Sequence, residues 1–363
     1  MARTACLLAA IVAVACSNVS SSKSSSSSAA SPTVVSSPRG SIPAPSSPGV
    51  AAYPECYDAG LCPPISGSTS EYDPIRTEIV AFGGWPHTST PSSDATWRFK
   101  NASWTRLHPT HVPPARALAA LAFDPALEVV VMYGGRDVPA SSAEATFGTI
   151  SMSADTWTWD GSDWSQQHPA HHPVLFYPSA TYDYARNQIV LVGLVGSSLT
   201  SMETWTYDGS DWTHQAQADG KPAPSRIYER LSFDGASKTV VTFGGYSIAL
   251  VPDGSLNAVW EWDGRTWTQT PAVSPFTPPL FVGFAPEFEQ RSMLACDASS
   301  AFSSWRWDGS RFTQLHPLHQ PEQCAAMSPD FRRHRLLLYE QLWPEAQLQF
   351  WSWSGYDWSR TSI

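Results

Sequence analysis

The sequence predicts an all-β fold, a six-bladed β-propeller of four-stranded antiparallel blades. Three observations predict it: a Trp-rich hairpin that recurs six times, an apolar hairpin ahead of each copy, and a composition of 31 Pro, 22 Gly and 17 Trp in 363 residues. Pro and Gly at that level punctuate a chain with turns and leave little room for long helices. Only 15% of residues are charged against 42% hydrophobic, so most of the chain has apolar surface to bury and does not read as disordered.

The first sixteen residues read as an export signal: Arg3, an apolar stretch from Ala5 to Ala15, then Ala13-Val14-Ala15-Cys16. Small residues before the break suit a signal peptidase. The placement of Cys16 resembles a bacterial lipobox, which implies cleavage before Cys16 and a lipid on its sulfur, with the protein tethered to the cell envelope or, without the lipid, secreted or periplasmic. No stretch further on approaches the length of apolar chain that spans a bilayer, so the lipid is the expected membrane contact.

Residues 17–52 collapse to Ser, Pro and Ala, including the run Ser24 to Ser28. Such a stretch cannot bury enough apolar surface to offset the entropy of ordering, so it reads as a stalk. Residues 53–363 are then the propeller. The net charge of −10 carries no basic surplus for a polyanion, so nucleic acid is not an expected partner. A monomer is expected.

The Trp hairpin reads TWRFKNASW, TWTWDGSDW, TWTYDGSDW, VWEWDGRTW, SWRWDGSRF and FWSWSGYDW, and its leading residues Trp97, Trp157, Trp205, Trp260, Trp305 and Trp351 lie 60, 48, 55, 45 and 46 residues apart. Asp-Gly between alternating aromatics marks a tight hairpin, because Gly accepts positive φ. Ahead of four copies stand YDPIRTEIVAFGG, FDPALEVVVMYGG, YDYARNQIVLVGL and FDGASKTVVTFGG, with Asp73, Asp124, Asp183 and Asp234 each ten residues before Gly83, Gly134, Gly193 and Gly244. The same count sets Ala285 against Ala295 and Ser328 against Leu338 in the last two units. Each unit therefore supplies strands a and b around the Asp turn and c and d around the Asp-Gly turn. A lone sheet this aromatic cannot satisfy both faces in water, and radial stacking of such sheets makes a propeller.

Paired glycines after an apolar strand, followed by a Trp-bearing hairpin, resemble Kelch repeats, and the related superfamily includes the central domain of galactose oxidase. The resemblance covers about Ile65 to the C-terminus and departs from the pattern where Gly-Gly becomes Gly193-Leu194, Ala295-Cys296 and Leu338-Tyr339. It implies two alternatives: a non-catalytic module that binds a protein or glycan outside the cytoplasm, or a copper oxidoreductase or other glycan-active enzyme. The copper chemistry needs a Cys crosslinked to Tyr, a second Tyr and two His at the ring axis, and that set is not matched residue by residue. Neither HExxH, GxSxG nor a phosphate-cradling loop occurs, so the binding module is the expected function, with no catalytic residue and no cofactor.

Alternation of strands puts the Asp and Asp-Gly turns on one side of the disc and the variable b–c and d–a segments on the other, where binding is expected. Fifteen of the 17 tryptophans lie in the hairpins and belong to blade packing, leaving Trp85 and Trp343. These two, in the first and last units, are candidate exposed rings for a ligand, with Tyr246 and Arg136 beside them.

Cys56, Cys62, Cys296 and Cys324 form an even set in an exported body, so two disulfides are expected, Cys56 with Cys62 and Cys296 with Cys324, with Cys62 to Cys324 as the alternative staple of first blade to last. Three d–a connectors share LHPTHVPP (His108, His111), QHPAHHPV (His168, His171, His172) and LHPLHQPE (His316, His319). Because the copies sit in different blades they cannot converge on one metal, and no metal site is expected. They read as extended Pro-rich connectors whose histidines cap backbone carbonyls.

Overall fold

The structure is a computed structural model, and the residues it describes are 62–63, 67–86, 91–137, 152–196, 201–217, 230–244, 257–275, 282–288, 292–297, 302–324, 326–342 and 347–363. They form six four-stranded antiparallel sheets, each contiguous in sequence. Blade one holds β1–β4 (Thr69–Asp73, Glu78–Phe82, Thr96–Lys100, Ser103–Leu107) and blade two β5–β8 (Ala120–Asp124, Val129–Tyr133, Thr156–Trp159, Trp164–Gln167). Blade three holds β9–β12 (Phe176–Asp183, Gln188–Val195, Ser201–Tyr207, Trp212–His214) and blade four β13–β16 (Arg230–Asp234, Thr239–Phe243, Ala258–Trp262, Trp267–Val273). Blade five holds β17–β20 (Val282–Glu287, Ser292–Asp297, Ser303–Trp307, Phe312–Leu315) and blade six β21–β24 (Ala326–Asp330, Arg335–Leu342, Gln347–Trp353, Trp358–Thr361). From blade one to blade six the first strand of each blade packs against the first strand of the one that follows it in sequence, which places these strands innermost. The architecture is a six-bladed β-propeller.

The ring closes through side chains and one backbone bond, from Asn101 N to Ile363 O at 3.2 Å. Tyr72, Ile79 and Phe99 of blade one pack with Leu337, Tyr339 and Phe350 of blade six, and Tyr72 Oη donates to Asp330 Oδ2 at 3.0 Å. Among the described residues no strand is borrowed, since each of the six sheets is made from one stretch of chain.

Four of the six blade seams are fastened by the tryptophan that opens strand d. The indole Nε1 of Trp164 donates to Thr96 Oγ1, that of Trp212 to Thr156, that of Trp267 to Thr204 and that of Trp358 to Ser304, at 2.8 to 2.9 Å. All four bonds run from strand d of one blade to the first residue of the Trp motif in the blade before it, in buried surroundings where an unmade indole bond is costly. Between blades four and five Phe312 stands in the donor's position and Val259 in the acceptor's, so both polar partners are lost together and the contact stays apolar, with the Phe312 and Phe243 ring centroids 5.2 Å apart.

The turns after strand a are built on buried carboxylates. Asp73, Asp124, Asp183, Asp234 and Asp330 each accept from backbone nitrogens of the turn they open. The side-chain turn lets a residue with positive φ follow: Thr77, Glu128, Asn187, Lys238 and His334. In blade five Glu287 takes the place of Asp and accepts from Ser292, Arg306 and Trp353. The ten-residue count from Ala285 and Ser328 is therefore two residues out of register, because the turns open at Glu287 and Asp330. The glycines that would have anchored the count are missing, and strand b runs on instead, to Asp297 and Leu342.

Arginines on this face reach sideways. Arg76 pairs with Asp73 and donates to Glu128 O of blade two, Arg186 pairs with Asp183 and donates to Lys238 O of blade four, and Arg333 pairs with Asp330 and donates to Thr77 of blade one. Arg76 lies over Gly161 and Arg186 over Gly264, where a Cβ would overlap the arginine. Those contacts join a–b turns to Asp-Gly turns, so both kinds of turn share one face of the disc, as the strand alternation requires.

Candidate functional site

The opposite face carries the b–c and d–a segments, and there the paired glycines bring chain from two blades against one connector. Gly84 N donates to Arg116 O at 2.9 Å, and a Cβ on Gly83 would overlap that same oxygen. From the other side Gly135 approaches Ala117 O so closely that a Cβ would lie 2.9 Å away. Gly83, Gly84, Gly134 and Gly135 all have positive φ, which only glycine adopts without strain. Residues 116–118 are thereby threaded between blades one and two.

Arg136 follows directly on the second pair. Its backbone exchanges both hydrogen bonds with Ala117, at 2.8 and 2.9 Å, and its carbonyl also accepts from Ser92 Oγ at 3.2 Å. With the backbone fixed, the side chain lies between two rings: its guanidinium carbon is 5.0 Å from the Trp85 ring centroid and 5.9 Å from that of Tyr177. It lines a small cavity with Leu118, Met152, Phe176 and Tyr177.

Trp85 and Arg136, singled out from the sequence, are thus side by side, but Trp85 is not an exposed ring. It is 6% exposed and packs on Gly67 and Ala117, where a Cβ on Gly67 would meet the indole at 2.5 Å. Its role is a wall under the arginine. Trp343 and Tyr246 lie outside the described residues, as do Cys16 and Cys56. Sequence reasoning missed Leu118, Met152, Phe176 and Tyr177.

Tyr177 reaches the cavity because strand β9 carries an extra residue. Ser179 pairs with Val192 and Phe176 with Leu194, so three steps on β9 oppose two on β10, and Tyr177 takes φ 51° inside the bulge. Such bulges re-aim a side chain out of the ladder. Leu118 is also left-handed at φ 58°, held by a bond from its nitrogen to Gly67 O at 2.8 Å. Two non-glycine residues in that region, on the rim of one cavity, mark stored backbone strain. Burial pushes the Tyr177 phenol above its ordinary value of 10.0, against the pull of the Arg136 charge.

Two arginines are buried here, and they are treated differently. Arg116, 1% exposed, gives Nη1 and Nη2 to the two oxygens of Asp155 at 2.5 and 2.8 Å, Nη1 again to Gly134 O at 3.0 Å and Nε to Pro114 O at 2.9 Å. Burial raises the Asp155 carboxyl, but the bonds from Arg116 and its charge outweigh that and hold the group below its usual 3.8. Arg136, 4% exposed, has no partner for Nε or Nη1. The cavity lining offers one cation, two aromatic rings and two apolar side chains.

The other sequence-marked residues fall elsewhere. Cys296 and Cys324 are bonded, with Cα atoms 5.5 Å apart, joining the end of strand b in blade five to the segment entering blade six. That rules out the Cys62 to Cys324 staple. Cys62 is itself disulfide-bonded.

The second histidine of each HPxH connector caps a carboxylate of the following hairpin, not a carbonyl. His111 pairs with Asp163, His171 with Asp211 and His319 with Asp357, each through both its backbone nitrogen and Nδ1 at 2.7 to 2.9 Å. Among the described residues no group of three or more His, Cys, Asp or Glu is placed to hold a metal ion. Among the described residues no helix is long and apolar enough to cross a membrane.

No protein-family model matches the chain, and no curated protein matches it. Among solved structures the chain is similar to the SapL1 lectin in complex with alpha methyl fucoside, with a TM-score of 0.48 and 14% identity over 82% of this chain and 95% of that one.

Proposed function

We propose that the protein is a non-catalytic binding module, a Kelch-like propeller that recognises a protein or glycan through its b–c and d–a loop face. A Ser/Pro-rich stalk and a lipid on Cys16 hold it outside the cytoplasm. One observation carries the binding reading: the guanidinium of Arg136 is buried on the loop face between Trp85 and Tyr177 with two donors unpaired. An unpaired buried charge is costly to maintain, and its natural use is to meet a group the ligand brings.

The contrast between faces supports this. The turn face closes its charges on itself through Asp, Glu and Arg, while the loop face pairs Arg116 and keeps Arg136 open beside strained backbone. The copper-oxidase alternative loses ground for a chemical reason: Cys62, Cys296 and Cys324 are all spent in disulfides and have no thiol to give a Tyr crosslink.

The test is an array of glycans and proteins probed with the purified protein, each hit then re-probed with Arg136→Met and Tyr177→Ala. Hits that vanish in both variants place recognition at this cavity; hits indifferent to both overturn the assignment. The mass of the mature N-terminus reads the lipid on Cys16 directly.

A further inference from the structure

We propose that the cavity is a carboxylate site: Arg136, walled by Trp85 and Tyr177, is the counter-ion for a carboxyl group carried by the ligand. This rests on the binding-module reading and names the chemistry of what is bound.

The protein shows what it does when a buried arginine is structural. Arg116, on the connector that Arg136 pairs with, is given a carboxylate on two nitrogens and two backbone carbonyls. Arg136 is as deeply buried, yet receives only aromatic faces, which attract the cation but accept no N–H bond in its plane. The site is one anion short.

The size and lining of the cavity select which anion. It has room for about one water-sized group, so the end of a substituent enters while the rest of the ligand stays at the rim. Leu118, Met152, Phe176 and Tyr177 supply no second cation. A phosphate monoester, with close to two charges at neutral pH, would remain half uncompensated there, whereas a singly charged carboxylate is matched by one guanidinium, one oxygen entering to accept its N–H bonds while the other stays at the rim. Left-handed backbone at Leu118 and the bulge at Tyr177 hold the walls in place beforehand, so little ordering is left to be done on binding.

The chemistry has two sources, a uronic sugar or the carboxyl of an amino acid or peptide, and matched probes separate them. The full chain is titrated by calorimetry into the millimolar range with D-glucuronate against D-glucose, and with N-acetylglycinate against N-acetylglycinamide. The expected result is saturable binding of at least one carboxylate and none of its neutral twin. Arg136→Lys, which keeps the charge but loses the planar fork, weakens that binding by about tenfold or more, and Arg136→Met abolishes it.

Thermal unfolding without ligand adds a readout that a structural arginine would not give. Arg136→Met exchanges an unpaired buried charge for an apolar chain of similar length, so Tm rises. Binding of neither carboxylate, equal binding of the neutral twins, or a fall in Tm for Arg136→Met overturns the proposal. If arrayed neutral ligands bind and need Arg136, the binding module stands and the carboxylate assignment falls. If arrayed hits ignore Arg136, both fall.

Discussion

Asp163 accepts a hydrogen bond from the backbone nitrogen of His111 and pairs with its Nδ1, at 2.8 and 2.7 Å, across 52 positions of sequence. An ionised carboxylate can only accept, so the proton of this pair sits on the imidazole. The same clasp joins His171 to Asp211 and His319 to Asp357, each tying a connector to the hairpin of the blade it enters.

These clasps carry a signed pH dependence. Bonds from the histidine backbone and ring hold the Asp163, Asp211 and Asp357 carboxyls below their usual 3.8. A depressed carboxyl contributes stability that is complete above its unfolded value and lost as pH falls through its folded one. The triple variant Asp163→Asn, Asp211→Asn, Asp357→Asn melts below the wild type at pH 6, by a few degrees as an order of magnitude. The gap closes as the melts are repeated toward pH 2. A gap that stays constant with pH would show that the carboxylate charge is not what the clasps use.

The Trp–Thr bonds between blades predict a coupled pair. Thr156→Val leaves Trp212 Nε1 buried without its acceptor and costs about 1–3 kcal/mol in denaturant unfolding. At the apolar seam, Phe312→Trp brings in an indole N–H facing Val259, and Val259→Thr supplies an acceptor for it. The double variant is more stable than the sum of the single changes by about 0.5–3 kcal/mol. Strict additivity would show that the seams do not share this geometry.

Gly161 and Gly309 occupy equivalent Asp-Gly turns with φ of 96° and 90°, but only Gly161 lies beneath an arginine. Gly309→Ala then reports the backbone penalty alone, about 1–3 kcal/mol. Gly161→Ala costs more, because Arg76 must leave its place between Asp73 and Glu128. Equal losses would mean that Arg76 adds nothing to the seam between blades one and two.

Removing the Cys296 to Cys324 bond opens a loop with a sequence separation of 28. Chain-entropy arguments give about 3–4 kcal/mol for a loop of this size. Cys324→Ala is expected to lose that much in denaturant unfolding, and nonreducing peptide mapping of the wild type recovers Cys296 with Cys324 in one fragment.

Much of this was legible in the residues. Six blades followed from Trp spacing because each Asp-Gly hairpin is a local structure with its own turn chemistry. The Cys296 to Cys324 pair followed from strand alternation, which sets both on the same face of adjacent blades. The histidine clasp was also legible and was overlooked: Asp163, Asp211 and Asp357 stand in the three hairpins entered by HPxH connectors, while blades one, four and five carry Ser103, Thr266 and Arg311 at that position.

The cavity was legible only in part. Arg136 and Trp85 were visible as residues following strand b, but the burial of Trp85 depends on Gly67 from a distant segment. Tyr177 enters through a bulge that no hydrophobic period reveals, since one inserted residue changes facing without changing composition.

Because every blade is a single uninterrupted stretch and no strand crosses the seam between Tyr72 and Asp330, the order in which the blades are synthesised is not dictated by the ring. A rearranged gene could start at any d–a connector, run through a linker across the present seam and finish one residue short of its start, and it should still assemble the same disc.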